Sequence, residues 1–184
     1  MKRPPFQAIR QTLRLLPPAI AFVTLMANVT TARAQTQELL TVDRAVLADA
    51  VDNATRRFVH AVASPLTRKK VYFWMQLRGT PELLEKLKSS DGKITIHHVW
   101  RRYVFNRVET AFDKSLQIGR AEDISKLDEQ VAETGYFTWR IWSDKLNLTS
   151  GNWRVDLELN GHEPVMCQNG DEEPQQCSYP FEVE

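Results

Sequence analysis

Three tryptophan-bearing segments constrain the fold of this chain more than any other feature: Ile94-Thr95-Ile96-His97-His98-Val99-Trp100, Phe137-Thr138-Trp139-Arg140-Ile141-Trp142-Ser143-Asp144-Lys145 and Gly151-Asn152-Trp153-Arg154-Val155. Each alternates with a period of two. Ile94, Ile96, His98 and Trp100 share one face, as do Phe137, Trp139 and Ile141, and as do Trp153, Val155, Leu157 and Leu159. A strand that hides one side and wets the other produces this pattern, and a helix does not. The alternation predicts an all-β chain, an antiparallel β-sandwich of about seven strands with one or two short helical insertions.

The remaining strands are read more simply. Lys70 to Leu77 is rich in β-branched and aromatic residues and stops at Gly79-Thr80-Pro81, which predicts a buried strand. Pro81 to Lys88 is a helical insertion with Thr80 as its cap, closed by a turn at Asp91-Gly92. Tyr103-Val104-Phe105 and Leu116-Gln117-Ile118 read as strands around a turn-prone stretch from Asn106 to Lys114. Gly119 to Thr134 is charged and weakly helical, a surface excursion. Asn160-Gly161 is the strongest hairpin signal, and Phe181 and Val183 close the sheet. From Val42 to Val62 the apolar spacing favours an amphipathic helix, with a strand at Arg44 to Ala50 as the competing reading. Ser64-Pro65 ends either.

The first 34 residues stand apart. Lys2, Arg3, Arg10 and Arg14 precede a mostly apolar stretch from Leu15 to Val29, and Ala32-Arg33-Ala34 offers small residues at a cleavage point. They read as a signal peptide, cut before Gln35, with residues 35–43 a polar tether and residues 44–184 the sandwich domain. The expected location is periplasmic or secreted, and membrane contact is expected only through the signal segment if it is not cleaved. Five of the 24 basic residues lie in that segment, so the remaining 150 residues carry 19 basic against 23 acidic side chains, a net −4 with neutral histidines. A chain of that balance lacks the basic face that nucleic acid requires. Cys167 and Cys177 enclose a turn-rich polar loop and, in an exported chain, read as a disulfide in preference to a metal pair.

The succession Ala45-Val46-Leu47, Val71-Tyr72-Phe73, Ile96-His97-His98-Val99-Trp100, Trp139 to Lys145, Gly151 to Val155 and Phe181-Glu182-Val183 resembles the domain of unknown function 2914 family of bacterial exported or envelope proteins. His98 and Trp100 match its histidine, basic residue, tryptophan motif, with Val99 replacing the basic residue. Trp139 to Lys145 matches its tryptophan, arginine, serine and lysine pattern. The resemblance implies a β-rich extracytoplasmic module and no particular reaction.

Candidate sites are few. The four histidines do not form a metal set, because neighbours such as His97 and His98 point to opposite faces. Ser143, His98 and Asp144 can be drawn as a triad, yet no strand-to-helix elbow surrounds the serine and no glycine pattern supplies an oxyanion hole. No catalytic residue, metal or cofactor is expected. Trp142 is out of phase with Phe137, Trp139 and Ile141, which exposes it beside Arg140. The expected ligand-binding cluster is Trp142, Arg140, Lys145, Tyr136 and His98. The function expected is a non-catalytic module for protein interaction or assembly in the cell envelope. The alternative is a carbohydrate-binding module using the same aromatic and basic cluster.

Overall fold

The computed structural model describes residues 39–89, 93–160, 163–167 and 173–184. The expected signal peptide, residues 35–38 of the tether, the Asp91-Gly92 turn, Gly161, His162 and the tip of the cysteine loop lie outside them. Among the described residues no helix is long and apolar enough to cross a membrane.

Seven principal strands form two antiparallel sheets. The first has the order β1 (Leu40–Ala48), β4 (Lys70–Gly79), β7 (Phe137–Leu146), and the second runs β12 (Ser178–Val183), β8 (Gly151–Leu159), β5 (Ile94–Val104), β6 (Arg107–Ile118). Short ladders join β2 (Val51–Asp52) to β3 (Arg57–Phe58), β9 (Glu163–Pro164) to β8, and β10 (Met166–Cys167) to β11 (Gln175–Gln176). Val71, Phe73, Met75, Leu77, Phe137, Trp139 and Ile141 from the first sheet meet Ile94, Ile96, Trp100, Trp153, Val155, Leu157 and Phe181 from the second in one core. The predicted all-β sandwich is the fold observed.

Several boundaries differ from the sequence reading. The residues from Leu40 onward form β1 and not a helix, so residues 40–43 belong to the sandwich and not to a tether. A bulge at Asp43 explains the misreading: Val42 pairs with Leu77, and the next pairs are Arg44 with Gln76 and Ala45 with Met75. The inward positions are therefore Leu40, Val42, Ala45 and Leu47, and the three-residue step imitates a helix. The turn-prone stretch after Asn106 is also strand. The β5–β6 turn is confined to Phe105 and Asn106, with Phe105 at φ +52°, and β6 then runs for 12 residues.

Two helices close one end of the sandwich. In α1 (Pro81–Lys88) the Thr80 hydroxyl accepts from Leu83 N–H at 3.3 Å and Pro81 occupies the first turn, while Leu83 and Leu84 are buried. In α2 (Ile124–Thr134) Leu127 is buried and Gly135 caps the helix at φ +81°, where other residues are strained. Lys88 ties the helices through Asp128 at 2.6 Å.

The connection between β3 and β4 decides which edges stay open. Val62 N–H bonds Leu47 O at 2.9 Å, alongside β1, and Leu66 bridges Val183, with Leu66 N–H on Glu182 O at 2.7 Å and Glu182 N–H on Ser64 Oγ at 2.8 Å. Residues 59–66 thus occupy the C-terminal ends of the outer edges of β1 and β12 on one flank. On the opposite flank, the edges of β6 and β7 have no strand partner among the described residues.

Candidate functional site

The open flank holds the candidate site. Trp139 Nε1–H donates to Gln117 O at 3.3 Å, and Lys145 Nζ stands 6.0 Å from the Phe112 ring. β6 and β7 therefore run antiparallel beside each other, with Gln117 level with Trp139 and Phe112 level with Lys145. Between them lies a groove of about 380 Å³ lined by Arg56, Ser115, Leu116, Arg120, Arg140 and Trp142, among others.

Strand geometry fixes which backbone groups face this groove. Both backbone groups of a strand residue point to the same edge, and the edge alternates along the chain. Since Gln117 O meets Trp139, the groups of Asp113 and Ser115 share that free edge of β6. On β7, Thr138 N–H is taken by Gln130 Oε1 at 2.9 Å, which places Arg140, Trp142 and Asp144 on the open edge beyond it. Among the described residues no strand pairs with either edge.

Cations dominate the flank. Arg56, held at φ +55° in the β2–β3 turn, lies 4.8 Å over the Trp139 ring and 3.5 Å from Asp123. Its carbonyl accepts from Trp74 Nε1 at 2.9 Å, so the small hairpin covers Trp74 on the outer face of the first sheet. Arg140 Nε donates to Gln76 Oε1 at 3.1 Å. Partial burial, and then the nearby Arg57 guanidinium, hold Arg140 below the usual arginine pKa. Two further cations occupy inward positions of edge strands: Lys114 is paired with His98 on β5, and Lys145 with Val71 on β4. Inward-pointing charge at an edge discourages indiscriminate strand pairing.

The predicted cluster is only partly assembled. Trp142 and Arg140 share the outer face of β7 and both line the groove, though Trp142 is half-buried and not a flat exposed platform. Lys145 sits farther along the same flank, its Nζ on Leu146 O at 3.1 Å. Tyr136 is elsewhere, beneath Arg78 at 4.5 Å, and six residues of strand set it ~20 Å from Trp142. His98 is fully buried, so it belongs to the core and not to a surface site.

His98 instead completes a dry hydrogen-bonded chain. Trp100 Nε1–H donates to Ser143 Oγ at 3.0 Å, Ser143 Oγ lies 2.9 Å from His98 Nδ1, and His98 Nε2 lies 3.0 Å from Met75 Sδ. One arrangement satisfies every group: Ser143 O–H donates to Nδ1, and Nε2–H donates to the thioether. Burial pushes the His98 pKa down to about 3. Asp144 points to the other face and pairs with Lys70 at 3.7 Å, so the triad drawn from sequence is not assembled.

A second polar cluster was not foreseen. Asp156 and Glu158 lie on the predicted wet face of β8, yet both are buried. Arg101 reaches Asp156 Oδ2 and Glu158 Oε1, each at 2.7 Å, Arg154 reaches Asp156 Oδ2 at 3.0 Å, and Ser178 donates to Asp156 Oδ1 at 2.6 Å. The Nε contacts of both arginines are close ion pairs set off the hydrogen-bond axis. Arg101 and Arg154 are directly paired across β5 and β8, a register that the sequence pattern does not reveal. Cys167 and Cys177 are bonded, with Cα atoms 4.9 Å apart, as the sequence predicts.

No family model and no curated protein matches this chain.

Proposed function

We propose that the chain is a non-catalytic exported module of the bacterial cell envelope that binds a partner protein by accepting an extended segment along its open flank. One observation carries this reading: β6 and β7 have no strand partner among the described residues and stand beside a groove, while residues 59–66 occupy part of the edges on the other flank. Proteins commonly cover or blunt their edges, and a long bare edge next to a groove is the surface that strand addition uses. The disulfide suits an oxidising compartment, in agreement with the expected signal peptide. A glycan platform would need Tyr136 beside Trp142, and their separation favours a protein partner. Membership in the domain of unknown function 2914 family belongs to the same proposal; it is supported by the meeting of His98 and Trp100 from one motif with Ser143 from the other.

Hydrogen–deuterium exchange tests the proposal. In complex with the envelope protein that co-purifies with the chain, residues 111–118 and 138–146 should exchange more slowly. Ser115→Pro, which removes an edge donor without touching the β5 ladder, should abolish the complex while preserving the circular dichroism spectrum. Protection confined to other elements, or a complex that survives Ser115→Pro unchanged, refutes strand addition at this flank.

A further inference from the structure

We infer that the segment received by this flank is acidic, its carboxylates pairing with Arg140, Lys114 and Lys145. This inference rests on the strand-addition reading and adds the chemistry of the occupant. Five cations line the flank from end to end: Arg120 and Arg56 near the helical end, Arg140 at the groove, then Lys114 and Lys145. Arg56 and Arg120 have carboxylate neighbours, Asp123 at 3.5 Å and Glu122 at 3.7 Å. For Arg140, Lys114 and Lys145 no carboxylate partner exists among the described residues. Arg140 is held only by the neutral amide of Gln76 and stands near the like charge of Arg57.

Several other arginines of these sheets are neutralised closely, while Arg44 and Arg102 lie over the Phe58 and Trp153 rings. Arg101 and Arg154 converge on Asp156, Arg78 pairs with Asp43 at 3.2 Å, and Arg68 with Asp49 at 3.2 Å. Arg140, Lys114 and Lys145 thus border the flank that lacks a strand, where Asp113 is engaged by His97 and Asp144 by Lys70. Charge complementarity of this kind selects partners and speeds encounter. From Trp139 to Lys145 the row is ~20 Å long, the span of about six residues in an extended segment. Side chains of such a segment alternate between its two faces, so carboxylates on one face would meet Arg140 on the outer side and carboxylates on the other would meet Lys114 and Lys145 on the inner side. The inward lysines that repel a neutral or basic strand are the groups that an acidic one satisfies.

Three ten-residue peptides in which each valine is followed by two polar residues, so that both strand faces carry them, provide the test, the polar positions being glutamate, glutamine or lysine. Binding to the full chain is followed by tryptophan fluorescence at low and at physiological salt. The glutamate peptide should bind about tenfold more tightly than the glutamine peptide at low salt, with the advantage shrinking as salt rises. Lys114→Gln, a change at an exposed side chain, should reduce that advantage and leave the glutamine peptide unaffected. Arg140→Gln should do the same. Equal affinity for the glutamate and glutamine peptides overturns the inference and leaves strand addition standing. Failure of all three peptides to bind overturns both. Binding of polygalacturonate without response to the glutamate peptide, or a concentration-dependent sedimentation coefficient that falls in Lys114→Gln, overturns it by assigning the flank to an anionic glycan or to a second copy.

Discussion

Acidification should weaken this fold through one buried imidazole, well before the carboxylates titrate. In the unfolded chain His98 takes a proton near its ordinary value of 6.5, whereas in the folded chain desolvation keeps it neutral down to about pH 3. Protons therefore bind the unfolded state preferentially across that interval. The stability contributed by neutral His98 is complete above pH 6.5 and falls as pH drops towards 3. Each unit is worth about 1.4 kcal/mol, so about 3 kcal/mol is lost near pH 4.5 and about 5 kcal/mol over the whole interval. The geometry gives the cause. A proton on Nδ1 would face Ser143 Oγ, which already accepts from Trp100, and would leave the serine hydroxyl proton without its acceptor. Urea unfolding followed by tryptophan fluorescence at several pH values between about 7.5 and 4.5 measures the effect. Against that series, His98→Asn keeps an acceptor for Ser143 but cannot titrate. Its absolute stability will be lower because it leaves a cavity, so the comparison is of slopes: stability of the natural chain should fall more steeply with pH by nearly one proton. Equal slopes in the two proteins refute the assignment.

Two further predictions concern packing and covalent closure. At Gly79 an added Cβ would lie 2.2 Å from the Phe137 ring, so Gly79→Ala should cost about 1–3 kcal/mol by overpacking, read as a lower urea midpoint at unchanged m-value. Reducing the Cys167–Cys177 bond, which closes a short loop, should cost at most about 3 kcal/mol. A midpoint that does not move with added dithiothreitol would show that the loop is already restrained by the β10–β11 ladder.

The legible parts of this fold were those with one wet and one dry face. β5, β7 and β8 each pack one side onto the core, and their two-residue period was plain in Ile94 to Trp100, Phe137 to Ile141 and Trp153 to Leu159. β6 was legible only at its C-terminal end, Leu116 to Ile118. Most of its residues face water on both sides because it is an edge strand, so no alternation survives from Asn106 to Lys114. β1 was obscured by a single inserted residue, Asp43. For the site, the phase of Trp142 against Trp139 correctly placed it and Arg140 on the outer face of β7. The grouping with Tyr136 failed because closeness in sequence along an extended strand is distance in space. His98 was already in phase with Ile94 and Ile96, the signature of a core position. The burial of Asp156 and Glu158 depended on arginines from two different strands, a tertiary arrangement that periodicity does not encode. The open flank itself depended on where residues 59–66 settle.

That settling limits how far association can proceed. Chains that extend themselves by edge pairing need a donor side and a receptor side, so that every joined molecule presents a fresh place for the next. Here residues 59–66 occupy the ends of the β1 and β12 edges, which shortens the run that a further chain could pair with on that side. Under the proposed strand addition, that shortened edge would make growth into a fibre less favourable than a single recruitment.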